Sequence, residues 1–398
     1  MHQKFSTHYP DNYGNGTALL TQYFAPGRVN LIGEHIDYNG GAVLPFAISR
    51  GIYAAVQFIE GGDSIEIRSQ QFSTQASDTI LFKRDERGYF SCNSNFSGSH
   101  HWAIYVAGVI DLLQKTYSLP LPAAKILFDS DLPIRSGLSS SAAIEVLTAF
   151  LFAHHNKHNL ANDKPALALF CQRVENEFVG VQCGIMDQFA VAAGKEQHAI
   201  RLNCHTLAYQ YVPLNISTDH HILVMNTNKD RALIESRYNE RRQECSEALQ
   251  QLQKTRDITH LCEATPEQLP LAIADPLLLR RARHVVSEMQ RVTDTVTALQ
   301  SQNWAKVGRL LNESHHSLCH DYEVTGIELD TLTALARTQA GCLGARMTGA
   351  GFGGCAIAIV ESKQIQPFSD YVMAEYTRKI GLPLDILDVN ACEGVRMM

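Results

Sequence analysis

Between Ala25 and Gly41 the chain reads APGRVNLIGEHIDYNGG, placing Arg28, Glu34, His35 and Asp37 among four glycines and two asparagines. The piece VNLIG has strand character, yet charged groups follow at once and NGG turns the chain back. So many polar groups on a tightly folded stretch suit a ligand that needs several fixed hydrogen-bonding partners. A second stretch, LPIRSGLSSSAAIEV at 132–146, runs from a strand end through a turn at Gly137 into a serine run that opens a helix. The first N–H groups of such a helix and the positive end of its dipole attract anions. Small residues let phosphate oxygens reach the backbone, and hydroxyls ligate Mg²⁺. A serine-capped helix after an ordinary loop has the same appearance. The string is not a Walker A loop, because G-x-x-x-x-G-K-[ST] does not occur.

Two further stretches carry candidates. MTGAGFGGCAIAIV at 347–360 sets Gly349, Gly351, Gly353 and Gly354 before an apolar strand, as in a turn that passes close to a bulky or charged group, or a plain hairpin. VENEFVGVQCGIMDQFAVAAG at 174–194 holds Asp187 in an apolar context, where an acid is either a helix cap or a working carboxylate. Glu175 and Glu177 both border the helical stripe of Leu167, Cys171, Val174 and Phe178. Periodicity does not choose between them. A solvated flank is the usual place for either.

The elements that must position these groups are mixed. GIYAAVQFI, SIEIRSQ, AKILFDSDLP, HAIRLNC and HHILVMNTN read as strands; HWAIYVAGVIDLLQKTY, SSSAAIEVLTAFLFAHH and KPALALFCQRVENEFVGV read as helices. From about Lys229 long amphipathic helices take over, before the glycine-rich turn, the strand CAIAIV and a last helix. A chain of 398 residues with this pattern implies two α/β (mixed α+β) domains, expected at 1–210 and 211–398. The net charge of −7 argues against a nucleic-acid partner. Ten cysteines without C-x-x-C spacing read as reduced thiols of a cytoplasmic protein. No apolar run is long enough to span a bilayer, so no membrane partner is expected, and no protein partner is implied.

Taken in chain order, the four stretches resemble the GHMP kinases, above all the sugar 1-kinase branch acting on galactose. GRVNLIGEH-DYNGG is close to diagnostic for that branch, GLSSSAA resembles its phosphate loop, and TGAGFGGC its third motif. The resemblance implies an N-terminal domain like ribosomal protein S5 domain 2 and a C-terminal ferredoxin-like domain, with sugar and ATP meeting between them. It makes Asp187 the base facing the anomeric hydroxyl, with Arg28 beside it to orient that carboxylate and stabilise charge on the phosphoryl group. It gives the sugar to Glu34, His35, Ile36, Asp37, Gly184 and Tyr238. The ATP phosphates fall to Arg135, Ser136, Gly137, Leu138, Ser139, Ser140 and Ser141, with Gly349 and Gly351. Mg²⁺ falls to Ser141 and Glu175, so the resemblance selects Glu175 over Glu177. Arg135 and Ser136 stand where the family has small or glycine residues, and Arg135 is expected at the rim, facing solvent. Ile36 stands where the family commonly has threonine. A related sugar (N-acetylgalactosamine, galacturonate or arabinose) is the alternative substrate. A sensor without turnover would be expected to lack part of the phosphate loop or the catalytic pair, and Ser141, Ala142, Arg28, Asp187 and Glu175 are all present.

Overall fold

The computed structural model describes residues 20–72, 78–93, 96–133, 136–216, 219–230 and 234–398. Its first half builds on a long apolar strand. β1 (Thr21–Asn30) is buried without interruption from Tyr23 onward, so both of its faces are covered. It pairs antiparallel with β3 (Pro45–Ile59), which follows the two-residue β2 (Ala42–Val43). β4 (Ser64–Ser69), β5 (Ile80–Arg84), β6 (Phe90–Ser91), β7 (Ala123–Ser130) and β14 (Arg396–Met397) complete a seven-stranded sheet of order β14-β1-β3-β7-β4-β5-β6. Only the β4–β7 pair in it is parallel. Helices α1 (Ala103–Tyr117), α2 (Ser140–His155), α3 (Lys164–Arg173) and α4 (Met186–Ala193) supply the covering layer, with α2 and α4 lying against β1 and β3.

The second half places β10 (His220–Asn226), β11 (Cys342–Thr348), β12 (Cys355–Glu361) and β13 (Asp385–Val389) in an antiparallel sheet of order β11-β12-β10-β13. Its longer helices are α5 (Ile234–Gln253), α6 (Pro276–Gln300), α7 (Trp304–Ser317), α8 (Gly326–Arg337) and α9 (Ile365–Ile380). Counting the helical run between β10 and β11 as one crossover, the sequence β-α-β-β-α-β with this strand order is the expected ferredoxin-like arrangement. A small sheet, β2-β8-β9, joins β2 to β8 (His198–Asn203) and β9 (Tyr209–Pro213).

The expected boundary at 210/211 falls inside β9, whose pairing with β8 continues to Pro213, while the second sheet starts at His220. The chain end also crosses back, since β14 adds to the first sheet beside β1. A split read from changing texture misses both, because neither a short strand nor a terminal return alters local composition. One continuous apolar core runs beneath both sheets.

Candidate active site

The site forms where β1 ends, the phosphate-loop-like turn begins and the β11–β12 hairpin closes. Register slips between Pro26 and Gly27, and such bulges re-aim the side chains beyond them. Here the slip precedes Arg28. Gly27 has no room for a side chain, since a Cβ would lie 2.8 Å from the Leu138 carbonyl oxygen. Arg28 N–H donates to that same carbonyl, locking strand and turn together.

Arg28 is buried and fully oriented. Its Nε donates to Asp187 Oδ1 and its Nη2 to Asp187 Oδ2, both at 2.8 Å, while Nη1 donates to the Gly137 carbonyl at 2.8 Å. This two-point fork is the strongest carboxylate-binding geometry arginine offers. Ser139 Oγ adds a third donor to Asp187 Oδ2 at 2.6 Å. Oδ2 therefore has both lone pairs engaged, and Oδ1 keeps one for an incoming hydroxyl. Asp187 sits in the first turn of α4 and does not cap it; the residue before the helix is Ile185.

Around this pair a cavity is lined by Arg28, Glu34, His35, Asp37, Gly184, Met186, Asp187, Tyr238, Asn239, Gly349 and Ala350, with Gly180, Val181 and Cys183 along one side. Each side chain expected there has a distinct situation. Asp37 receives the Tyr38 backbone N–H, and burial, with the Asp187 charge adding, pushes its carboxyl up to about 6. Gly184 has no space for a Cβ, which would fall on the Asp37 carboxylate. Glu34 is buried, accepting from Gly349 N–H at 2.6 Å and from Asn30 Nδ2, and pairing with Arg346 Nη2 at 2.7 Å. Burial still raises its carboxyl above the usual range.

His35 has φ +61, a strained conformation of the kind found at functional sites. Burial lowers its pKa to about 3, so the ring is neutral. Nε2 lies 3.1 Å from the Ala350 carbonyl, which can only accept, so Nδ1 accepts from Tyr38 Oη at 2.8 Å. Tyr322 then donates to Tyr38, and the Cys245 thiol to Tyr322. Both His35 nitrogens are thus committed within the protein. It shapes the cavity with Tyr238, whose ring centroid lies 5.6 Å away, and presents no free N–H to it.

Ile36 does not line the cavity. It is wholly buried in the core, and its carbonyl accepts from Asn39 and Gly41 to close the NGG turn. Leu138 and Ser136 are also buried, the latter accepting from the Cys355 thiol through its carbonyl. Arg135 lies outside the described residues. Ser139 has φ +63 and no side chain caps α2, which leaves the N–H groups at the start of that helix, beside Ser140 and Ser141, for an anionic acceptor. Gly349 and Gly351 have φ of +84 and +80; a Cβ on Gly349 would come within 3.3 Å of the Gly137 carbonyl, and one on Gly351 would strike the Val324 carbonyl. Gly349 therefore touches the site, whereas Gly351 serves the turn.

Glu175 and Glu177 part company in a π-helical turn, Val174–Val179. Within that turn Glu175 faces inward and Glu177 outward, and such turns recur at functional sites. Glu175 is buried, whereas Glu177 is exposed and pairs with Arg173 at 2.9 Å. Burial, with Asp187 adding, raises the Glu175 carboxyl to about 7, and Ser141 hydrogen-bonds to it. A hydroxyl and a carboxylate are hard oxygen donors, and one or two protein oxygens shared with phosphates is how Mg²⁺ is usually held. No three His, Cys, Asp or Glu side chains gather as a metal site among the described residues, so any cation here leans on a ligand's oxygens. The residues present fit Mg²⁺.

Sequence reading missed Arg346, Asn239, Gln188 and Glu145. Arg346 stands shortly before the glycine turn and is fully buried, which a charged residue in a strand does not advertise. Gln188, directly after Asp187, was signalled only by its neighbour.

Comparison with known proteins gives the chain its family. Three family models fit the chain: the galactokinase galactose-binding signature over residues 5–58, the GHMP kinases N terminal domain over 104–195 and the GHMP kinases C terminal over 295–372. A galactokinase of Clostridium acetobutylicum is 43% identical, covering 100% of this chain and 98% of that one. A galactokinase of Staphylococcus saprophyticus is 43% identical over 100% of this chain and 99% of its own length. The crystal structure of Lactococcus lactis galactokinase complexed with galactose superposes with a TM-score of 0.89 at 39% identity, covering 100% of this chain and 98% of that chain. Methanococcus jannaschii mevalonate kinase shares the fold at a TM-score of 0.64 and 17% identity. With that identity sustained over the full length, the chain belongs to the galactokinase family of the GHMP kinases.

Proposed function

We propose that the protein transfers the γ-phosphoryl group of ATP to the C1 hydroxyl of α-D-galactose, giving galactose 1-phosphate and ADP. The observation that carries this reading is the Arg28–Asp187 fork, opening onto a cavity walled by Glu34, His35, Asp37 and Tyr238. In this reading Asp187 Oδ1 accepts the C1 hydroxyl proton as the sugar oxygen bonds to the γ-phosphorus and the bond to the ADP oxygen breaks. Arg28 keeps N–H groups not used by Asp187 or Gly137, and these face the charge that develops on the phosphoryl oxygens. Asp37, the least committed carboxylate of the cavity, takes sugar hydroxyls, and Glu34 offers its spare lone pairs. The start of α2 with Ser140 and Ser141, and the Gly137 and Gly349 backbones, receive the phosphates. Mg²⁺ held by Ser141 and Glu175 would neutralise phosphate charge. The ten free thiols agree with a reducing, cytoplasmic setting. Methyl α-D-galactoside, whose C1 oxygen is blocked, should bind and compete with galactose yet release no ADP beyond background; turnover on it would place the acceptor at another hydroxyl.

Two predictions concern the sugar wall. Asp37 faces the carboxylates of Asp187 and Glu34, the Arg242 cation, and Tyr238. Its folded pKa of about 6 lies above the ordinary 3.8. Ionising it therefore costs the folded state stability, a cost that grows as pH rises from about 4 to 6 and persists above that. Asp37→Asn should raise the melting temperature at pH 8, by an amount equivalent to roughly 1–3 kcal/mol. The same change should weaken galactose binding about tenfold or more, through the lost charged acceptor. Wild-type galactose affinity should fall below pH 6, and the Asp37→Asn variant should show no such fall. Calorimetric titration at pH 5 and pH 8 reads both effects, and a wild-type affinity independent of pH would remove Asp37 as the ionised acceptor.

Gly184→Ala would drive a methyl group into the Asp37 carboxylate. Galactose KM should rise about tenfold, in line with overpacking costs of about 1–3 kcal/mol, with kcat changed less. An unaltered KM in steady-state kinetics would show that the backbone at 184 yields freely.

A further inference from the structure

Glu175 is held from behind by groups that the proposed chemistry does not use. Gln188 Nε2 donates to Glu175 Oε2 at 2.6 Å and lies 3.5 Å from Glu145 Oε2. The Cys183 thiol approaches the same Glu175 oxygen at 3.6 Å. Both contacts fall on Oε2, and the Ser141 hydroxyl also hydrogen-bonds to this carboxylate. Glu145 stands one helical turn beyond Ser141 on α2, so the two share a face. Gln188 and Glu145 are each 0% exposed. Glu145 Oε1 and Gln188 Oε1 are buried with no hydrogen-bond partner among the described residues. Burying an acid and an amide with unmet acceptors is costly, and apolar side chains of similar volume would stabilise the fold better. Their retention calls for a local task, and the contact they share is with the carboxylate beside Ser141.

We propose that Gln188, backed by Glu145, is a positioning residue that fixes the Glu175 carboxylate so that it and the Ser141 hydroxyl together grip a divalent cation. The inference rests on the Mg²⁺ site proposed at Ser141 and Glu175. A carboxylate on an irregular π-helical turn has rotational freedom that a single strong amide contact removes. Because Gln188 directly follows Asp187 on α4, the same short helix sets the orientation of both the base and the cation ligand.

The test uses Mn²⁺ as a spectroscopic stand-in for Mg²⁺, titrated into the full-length protein with ADP and galactose present and followed by electron paramagnetic resonance. Gln188→Met should weaken Mn²⁺ binding about tenfold or more, the usual effect of losing a group that orients a metal ligand. Galactose affinity should stay within about twofold, because Gln188 is absent from the sugar cavity, and the KM for Mg²⁺–ATP should rise without a matching rise for galactose. Glu145→Gln should stay near wild type in Mn²⁺ affinity, since an amide oxygen still accepts from Gln188. If Gln188→Met does not fold, Gln188→Asn is too short by one methylene to reach Glu175 and reads the same effect. A lower melting temperature with wild-type Mn²⁺ affinity would overturn the proposal, leaving Gln188 a packing residue. Glu175→Gln separates the two levels. Weakened Mn²⁺ binding there, with no change in the Gln188 variant, removes the positioning role and keeps the cation site; unchanged Mn²⁺ binding in Glu175→Gln removes both.

Discussion

Replacing Asp187 with alanine should lower kcat at least about a thousandfold while leaving galactose affinity within a few-fold of wild type. A positioned general base contributes about 10²–10⁴ in rate, and here a second loss adds to it. Without the carboxylate, Arg28 keeps only the Gly137 carbonyl from its three observed contacts, and its guanidinium loses the orientation that the proposed phosphoryl contact needs. The fold should survive, because the Asp187 side chain is 30% exposed and its partners remain held by their own backbones. Asp187→Asn divides the role further. The amide preserves volume and one acceptor but cannot take a proton, so a comparable fall in kcat identifies proton acceptance. Activity of the Asp187→Asn variant within about tenfold of wild type, well short of a lost general base, would instead reduce the residue to orienting Arg28 and Ser139. Pre-steady-state measurement of ADP formation keeps product release out of the comparison.

The second large effect is on stability, at a residue that touches no proposed substrate. Arg346 is fully buried on β11, where Nη1 donates to the Leu31 carbonyl at 2.7 Å and Nη2 pairs with Glu34 at 2.7 Å. It thereby ties the β11–β12 hairpin to the end of β1. Arg346→Met leaves Glu34 buried without its cation, and removing one partner of a buried pair typically costs about 3–5 kcal/mol. Glu288, which Arg291, His284 and Arg346 draw down to about 2 against the upward push of burial, loses part of its support as well. The sign with pH is fixed by Glu34. Once Arg346 is gone its folded pKa rises further above the unfolded value, so the variant gains stability relative to wild type as pH falls and Glu34 takes a proton. The deficit in melting temperature should be larger at pH 8 than at pH 5, and Glu34→Gln added to Arg346→Met should recover part of it. A deficit that is equal at both pH values would mean that lost packing, not lost charge, is responsible.

The legible part of this molecule was what local pattern encodes. Apolar periodicity marked most of the strands and long helices, whereas the ferredoxin-like order and the site assignments came with the family resemblance; Arg28, Glu34, Asp37, Gly184, Asp187 and Tyr238 do line one cavity. What pattern could not give is direction and register. Glu175 and Glu177 sit in one π-helical turn and flank the apolar stripe on opposite sides at similar angles, so only the fold shows that Glu175 is the buried one. Ile36 lies amid polar residues of the stretch that matches the galactose-binding signature, yet its side chain enters the core because the 37–39 turn reverses the chain around it. His35 has the right place but spends both nitrogens inside the protein, which only its partners reveal. Arg346, Gln188 and Glu145 were invisible because a buried polar residue acquires meaning only from a partner distant in sequence.

The central claim is that the cavity presents the anomeric hydroxyl of galactose to ATP with Asp187 as base. Its most direct test is a coupled ADP-release assay with Mg²⁺–ATP against galactose, glucose, N-acetylgalactosamine, galacturonate and arabinose, with the product identified by phosphorus NMR. Turnover highest on galactose, a product phosphorylated at C1 and loss of both in Asp187→Ala are the results expected. Turnover highest on another sugar would contradict the substrate, and ADP release that survives in Asp187→Ala would contradict the mechanism.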